Sequence, residues 1–475
     1  MVAIAACKIC RVLLRLFRRG GTSLPGKIAL AIYPDVLRRC SCGMKIILVS
    51  GTNGKTTTCR IIEQGLRAAG IDVMANRSGA NLLAGICAEF VANSSMQGKA
   101  QKQTAVIECD EAALKLVIEH LSPAVLVVTN IFRDQLDRYG EIMNTRNGMR
   151  TAIEKNSSMT LCLNADDSLV VSLADSLENP CLYFGVDEGE ATIASEEKSD
   201  ALYCIRCKHK YNYGYKTYGH LGDFSCPECG YARPERQISA KHIIAMYDDY
   251  SLIDMSIFGQ CHEQKIPLPA VYNIYNSLAA ATGLHSLGLS LPDFGDEADR
   301  VYGFGRMEKF NIGHGATMIL VKNPAGFTQV ISYLSNLNYG YDLMCCLDDQ
   351  LADGEDVSWI WDVPFENLAA HERLIGNVYT AGRRRGDMYL RLKYAGFTPA
   401  KLKEIKDDRS FAAKHDCRTR PLFILPTYSA MMRLRPVLAK KSRSKDYWET
   451  DTCIERECQR ILGAVCNKIG MCKAI

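Results

Sequence analysis

Ile46-Ile47-Leu48-Val49-Ser50-Gly51-Thr52-Asn53-Gly54-Lys55-Thr56-Thr57-Thr58 is the stretch that decides the fold. Its first four residues have the composition of a strand buried on both faces. Beyond Thr57, apolar Ile61, Ile62, Leu66 and Ala69 recur at helical spacing. Strand, glycine-containing turn and helix, in that order, form the context of a phosphate-cradling loop. Gly51 and Gly54 let backbone N–H groups face an anion, and the helix N-terminus adds partial positive charge. Thr52, Asn53 and Thr57 complete the cradle, Lys55 reaches the terminal phosphates, and the Thr56 hydroxyl ligates Mg2+. Val49 stands where a P-loop usually begins with glycine, so this is a shortened relative. A plain Gly-Asn turn would leave a lysine and three threonines at the helix start unexplained. A nucleoside triphosphate site is the expectation.

The chain of 475 residues has room for about three domains. Its apolar share of 47% and charged share of 23% argue for a globular protein. A net charge of +4 is too small for bulk attraction to nucleic acid, and no nucleic-acid partner is expected. The 21 cysteines are spread through apolar runs as well as clustered, which suits a reducing cytoplasm and one metal site. Residues 1–43 form a basic amphipathic segment, in which Lys8, Arg11, Arg15, Arg18 and Arg19 interleave with Val12, Leu13, Leu16 and Phe17. The charges follow the first apolar residues and interrupt the rest, unlike a secretory signal or a spanning helix. Docking of this helix on the protein's own surface is the plainer reading. Contact with the anionic inner face of a membrane is the sharper one.

From residue 44 strands and helices alternate, with strands expected at 45–50, 104–109, 124–129 and 159–163 and a helix at 111–121. The pattern is α/β and doubly wound, with a mostly parallel sheet. Residues 200–236 break it, helical text resumes at 272–287, and a second, Rossmann-like α/β pattern follows. Its strands are expected near 317–321, 342–347, 376–380 and 421–425. The domains are thus 44–308, with an insertion at 200–236, and 309–438, before a cysteine-containing tail at 439–475.

Cys204-x-x-Cys207 and Cys226-x-x-Cys229 have the spacing of a four-cysteine zinc ribbon. Four thiolates with no open position mean a structural Zn2+ site, and Lys208, His209 and Lys210 are offset by Asp223, Glu228 and Glu235. Glu108 ends a strand where ligands bind in open α/β sheets, and a carboxylate opposite Lys55 and Thr56 suits Mg2+. Polar side chains are dense at the next two strand ends, in residues 129–141 and in Asn164-Ala165-Asp166-Asp167, where a substrate crevice is expected.

These stretches, with Tyr272-Asn273-x-x-Asn276-x-Leu278-Ala279-Ala280, resemble the Mur ligase family in order and spacing. Gly305-Arg306-Met307-Glu308 and Lys322-Asn323-Pro324-Ala325-Gly326 look like that family's junction into its C-terminal domain. Within the family the chain is most similar to the branch that amidates lipid II with a GatD-like glutaminase subunit. The ribbon, Asp353-Gly354-Glu355-Asp356-Val357-Ser358-Trp359-Ile360-Trp361-Asp362, Asp387-Met388-Tyr389-Leu390-Arg391-Leu392-Lys393-Tyr394-Ala395-Gly396 and Leu425-Pro426-Thr427-Tyr428 carry that likeness. It spans roughly residues 20–435.

The resemblance implies a Mur ligase-like ATP-binding central domain, with Lys55 and Glu108 catalytic and Asn273 holding adenine. Arg306 joins the ATP-binding set. It implies that Asp356 completes the glutaminase's cysteine–histidine site across a subunit interface, although Asp-Gly-Glu-Asp is also good turn text. Gln135 stands where amino-acid-adding members usually carry histidine. The implied reaction converts the α-carboxyl of D-glutamate in the lipid II stem peptide to D-isoglutamine through an acyl phosphate. Gly85-Ile86-Cys87-Ala88-Glu89 is the nearest text to a nucleophilic cysteine turn and lacks its last glycine, so the ammonia source should be a second subunit. Two alternatives are a Mur or folylpolyglutamate-type ligase that adds an amino acid directly, and a zinc-ribbon binding protein with a regulatory nucleotide site.

Overall fold

The computed structural model describes residues 1–16, 23–76, 80–133, 142–187, 200–247, 249–266, 269–291 and 307–442. Arg306, Gln135 and the tail cysteines lie outside them. The apolar run that follows Lys45 becomes β1 (Lys45–Ser50), in the middle of a nine-stranded sheet. Alternation along β1 sends Ile46 and Leu48 to one face and Ile47 and Val49 to the other, and both faces are covered. Full burial of each such side chain is worth about 1.5–3 kcal/mol.

Its neighbours are β2 (Val73–Ala75), β3 (Thr104–Glu108), β4 (Val125–Val128), β5 (Thr160–Asn164) and β6 (Cys181–Val186), all parallel. A separate hairpin, β7 (Asn212–Tyr218) and β8 (Leu221–Ser225), belongs to the cysteine-rich insertion. The large sheet then continues through β9 (Ile238–Met246), β10 (Ser251–Ile257) and β11 (Gln260–Ile266). Strand order is β11-β10-β9-β6-β5-β4-β1-β3-β2, parallel as far as β9 and antiparallel beyond it. The expected strands near the phosphate loop match closely. The sequence reading missed the three from 238 to 266, of which β11 is an almost wholly exposed edge written in Gln, His, Glu and Lys. The helix expected at 111–121 is only Leu114–Ile118, since residues 111–113 form a turn.

The helices Lys55–Ala68 and Val271–His285 cover one face of the sheet through Ile61, Ile62, Leu66, Leu278 and Leu284. The other face packs with Val2–Leu16, Leu24–Ile32 and Leu83–Ala92. The N-terminal helix docks through Ala3, Ile4 and Cys7, and Arg11 pairs with Glu89 at 3.1 Å. Val12 and Leu13 face out. None of the helices among the described residues is long and apolar enough to cross a membrane.

The chain divides into two units, one of Met1–Gly303, Lys322–Leu337 and Gly354–Ala370, the other of Phe304–Val321, Asn338–Asp353 and His371–Ile475. The second holds a six-stranded sheet made of β12 (Glu308–Phe310), β13 (Ala316–Met318), β14 (Tyr341–Cys346), β15 (Ile375–Ala381), β16 (Leu402–Glu404) and β17 (Leu422–Pro426). Its order is β12-β13-β17-β14-β15-β16, with only β12 antiparallel. The helix Tyr428–Ser442 closes its core over Phe310, Met344 and Ile424 with Met431 and Leu434.

Candidate active site

The loop after β1 turns on two left-handed glycines, Gly51 at φ +120° and Gly54 at φ +88°. A Cβ at Gly51 would lie 2.4 Å from Thr129 Oγ1, and one at Gly54 would lie 2.0 Å from Asn276 Oδ1. Only glycine fits either place. The following residues tie the loop to the end of β4. Thr52 N–H donates to Asn130 O at 2.9 Å, Asn53 N–H donates to Asn130 Oδ1 at 2.9 Å, and Thr129 Oγ1 donates to Asn53 O at 2.7 Å. Thr52 Oγ1 both donates to Phe132 O at 3.1 Å and accepts from Phe132 N–H at 3.0 Å.

Lys55 is buried at the mouth of the helix, where Nζ donates to Gly51 O and forms a 2.7 Å ion pair with Glu111. Burial opposes its charge, but Glu111 and Asp110 outweigh that and raise its pKa above the ordinary lysine value. The ammonium is therefore fixed as a cation beside the loop. Thr56 Oγ1 donates to Glu108 Oε2 at 2.8 Å, so the two expected Mg2+ ligands are adjacent. Asn81 Nδ2 donates to Glu108 Oε1 at 3.3 Å, while Asn76 brackets the Glu108 backbone with two 2.8 Å bonds. A hydroxyl and a carboxylate oxygen side by side at a strand end suit a hard divalent cation.

Asn273 and Asn276 occupy the first turns of the helix Val271–His285. Asn273 Nδ2 donates to Pro269 O at 2.6 Å, Asn276 Nδ2 donates to Asn273 Oδ1 at 3.2 Å, and Asn276 closes over Gly54. Asn323, which caps the helix Pro324–Ser335, exchanges side-chain amide bonds of 3.4 and 3.1 Å with Asn53. The 322–326 motif thus reaches the phosphate loop itself.

The polar cluster after β5 is not a crevice. Asn164, Asp166 and Asp167 are fully buried and bonded within the protein. Asn164 Nδ2 donates to Thr129 O at 2.9 Å, Asp167 accepts from Ile131 N–H at 2.8 Å, and Asp166 accepts from Arg233 Nε at 2.6 Å. These groups brace the loop after β4 from behind. Desolvation raises the pKa of Asp166, with the Arg233 guanidinium opposing it. Of the 129–141 segment, only 129–133 are described. Arg133 joins two motifs there, donating its N–H to Asp200 at 2.9 Å and pairing with Asp362 at 3.1 Å.

The four ribbon cysteines converge. Cys204 and Cys229 sulfurs lie 3.5 Å apart, Cys207 and Cys226 3.3 Å apart, and all four fall within 4.8 Å of one another. A tetrahedron of Zn–S bonds near 2.3 Å has edges of about 3.8 Å, so the cluster fits Zn2+ with modest expansion. Burial of Cys204 resists ionisation, but N–H donors from Cys207 and Arg206 lower its pKa, while hydrogen bonding among the sulfurs contributes to raising those of Cys207 and Cys229.

Asp356 stands apart from this machinery. Its carboxylate is exposed and accepts from Ser358 N–H at 2.8 Å and Ser358 Oγ at 2.9 Å, capping the short turn of helix Ser358–Asp362. Those two bonds hold its pKa below the ordinary value. Sequence reasoning passed over Glu111, Asn76 and Asn81. The acidic run Glu108-Cys109-Asp110-Glu111 was the available signal for the first of them.

Comparison with known proteins places the chain in a family. Residues 49–284 match the Mur ligase middle domain, and residues 320–431 match the MurT ligase C-terminal domain. Subunit MurT of the glutamine-hydrolyzing lipid II isoglutaminyl synthase of Streptococcus pneumoniae is 35% identical, over 90% of this chain and 94% of that protein. The Staphylococcus aureus MurT subunit is 34% identical, over 93% and 98%. A pseudomurein peptide ligase type C from Methanothermus fervidus shares the fold, with a TM-score of 0.61 at 19% identity, over 84% of this chain and 79% of that one. A shortened phosphate loop, a four-cysteine ribbon and near full-length likeness lead to one conclusion: this chain belongs to the MurT branch of the Mur ligase family.

Proposed function

We propose that the chain is the synthetase subunit of a lipid II isoglutaminyl synthase. It amidates the α-carboxyl of D-glutamate in the lipid II stem peptide, using ATP and ammonia from a GatD-like glutaminase subunit. The observation that carries this reading is the 35% identity across 94% of a MurT subunit named for that activity. The chemistry suits the residues. A carboxylate is a poor electrophile, so one of its oxygens attacks the γ-phosphorus of ATP and ADP leaves. Lys55, already held as a cation, meets the charge that moves onto the phosphates. Thr56 and Glu108 would hold Mg2+, which screens phosphate charge when bound. Ammonia then attacks the acyl carbon of the acyl phosphate, phosphate departs, and nitrogen gives up a proton. Asp356, exposed and anionic, is offered to the glutaminase's own cysteine–histidine pair.

The test is to incubate the purified chain with its glutaminase, lipid II, ATP and glutamine, and to identify the product by mass spectrometry. Amidated lipid II formed with either glutamine or ammonium is expected. ATP turnover that demands a free amino acid and ignores ammonium would overturn the reading in favour of an amino-acid-adding ligase.

The substrate's lipid anchor gives the N-terminal helix a role at the inner membrane face. Ile9 and Leu13 are 60% and 48% exposed on the side that does not dock, beside Val2 and Val12. Residues 1–45 carry nine Lys and Arg against one Asp, whereas the remaining residues carry 48 against 52 acidic ones. An apolar stripe in a locally cationic segment suits an anionic bilayer. Ile9→Asp with Leu13→Asp should release the chain from phosphatidylglycerol vesicles in co-sedimentation. Equal retention of the double variant would remove the membrane contact from the proposal.

A further inference from the structure

We propose that the zinc ribbon is a positioning element of the nucleotide site, so that metal loading sets the affinity for ATP. This rests on the reading of the phosphate loop as an ATP site. Two struts run from the ribbon hairpin to that site. The first starts at the hairpin tip, where the Tyr218 ring stacks on Phe132 at 5.6 Å and the His220 ring tilts onto it at 4.6 Å. Phe132 is clamped through its backbone N–H and C=O to Thr52 Oγ1, inside the phosphate loop. His220 Nε2 also lies 3.1 Å from Asp167, an ion-pair distance without hydrogen-bond alignment, and Asp167 accepts the neighbouring Ile131 N–H. All three rings are buried, so the contact excludes water.

The second strut reaches the adenine side. Thr217 Oγ1 on β7 and Tyr275 Oη are 2.8 Å apart, and Tyr275 Oη donates to Asp166. Tyr275 sits between Asn273 and Asn276, the second of which closes over Gly54. Asp166 returns to the ribbon twice, through Gly222 N–H at 3.0 Å and Arg233 Nε at 2.6 Å. The hairpin therefore touches the supports of both the phosphate loop and the helix beside it. A two-stranded hairpin is marginal alone, and here the two knuckles of the four-cysteine site close its base. Holding Zn2+ in those cysteines keeps both struts in place.

The experiment uses the full chain, and its readout is nucleotide binding, which needs neither lipid II nor a partner. ATP affinity is measured by calorimetry with Mg2+ present, alongside zinc content and circular dichroism. Tyr275→Phe and Thr217→Val leave all four cysteines intact. Each should retain wild-type zinc while weakening ATP binding about fivefold, and in ammonium-driven turnover KM for ATP should rise while kcat changes less than twofold. Chelation of zinc should weaken ATP binding more than either variant while the large sheet keeps its dichroism. Unchanged affinity in both variants, or in a folded zinc-free chain, would overturn the coupling, as would a loss confined to kcat. If chelation unfolds the whole chain, the two variants decide. A zinc-loaded wild-type chain that binds no ATP would instead sink the nucleotide site itself.

Discussion

The phosphate loop and the Asp356 turn are both short, polar and rich in glycine or aspartate, yet they are built to opposite ends. Around the loop three polar side chains have buried partners within the chain: Lys55 has Glu111, Thr56 has Glu108, and Thr52 has Phe132. The Asp356 carboxylate is bonded within its own turn and exposed. A site whose groups are already aimed and desolvated can act by itself, because its preorganisation is complete before substrate arrives. An exposed carboxylate held by its own serine cap is open to a partner surface, and under the proposed function it acts when the glutaminase covers it. Under the proposed function, the contrast separates an ATP-using centre from a contribution to the glutaminase's centre.

The largest effect should come from the loop. Lys55→Ala should lower amidation by about 10²–10³-fold with glutamine and with ammonium alike, since phosphate charge loses its cation. It also strands Glu111 in a buried position, at a cost of about 3–5 kcal/mol. Lys55→Met with Glu111→Gln removes both charges and should recover the melting temperature but not the activity. If that double variant regained turnover, Lys55 would be a structural cation and the contrast would collapse.

Asp356→Asn should have a smaller and selective effect, on the order of a 10²-fold loss with glutamine and almost none with ammonium. Because Ser358 holds the carboxyl below its ordinary pKa, the glutamine-driven pH profile should show no Asp356 step at or above about 3.9. Equal loss with both nitrogen donors would move Asp356 into the synthetase centre.

How much of this was legible beforehand depends on whether information is local. Gly51, Gly54, Lys55, Thr56 and the four cysteines declare themselves because their chemistry requires fixed spacing along one stretch of chain. Glu108 was readable as a strand end. The Glu111 partnership was not, since it depends on a turn at 111–113 that replaced the start of an expected helix. Asn164, Asp166 and Asp167 looked like a substrate crevice because polarity at a strand end is ambiguous between facing solvent and bracing a loop, and burial decides between them. Strand β11 escaped because an exposed edge has no apolar alternation to display, whereas β9 and β10 carry an alternation that was there to be read. The two struts from the ribbon join residues more than fifty positions apart, beyond what any pattern of spacing conveys.

The finest test of the loop's self-sufficiency is Asn323→Ala. Asn323 is 1% exposed, caps its own helix through Gly326 N–H at 2.8 Å, and shares two amide bonds with Asn53 in the loop. Removing it leaves the Asn53 amide to find water or turn away, a change of about 1 kcal/mol, or roughly fivefold in affinity. The expected outcome is a rise of that size in KM for ATP, equal with glutamine and ammonium, with little change in kcat. Asn323→Asp should restore the helix cap, because a carboxylate accepts Gly326 N–H, but cannot donate to Asn53 Oδ1. If the aspartate variant matched wild type in KM, the cap alone would matter. If it matched alanine, the amide exchange would be what holds Asn53 in the cradle, and the loop's preorganisation would extend across 270 residues of sequence.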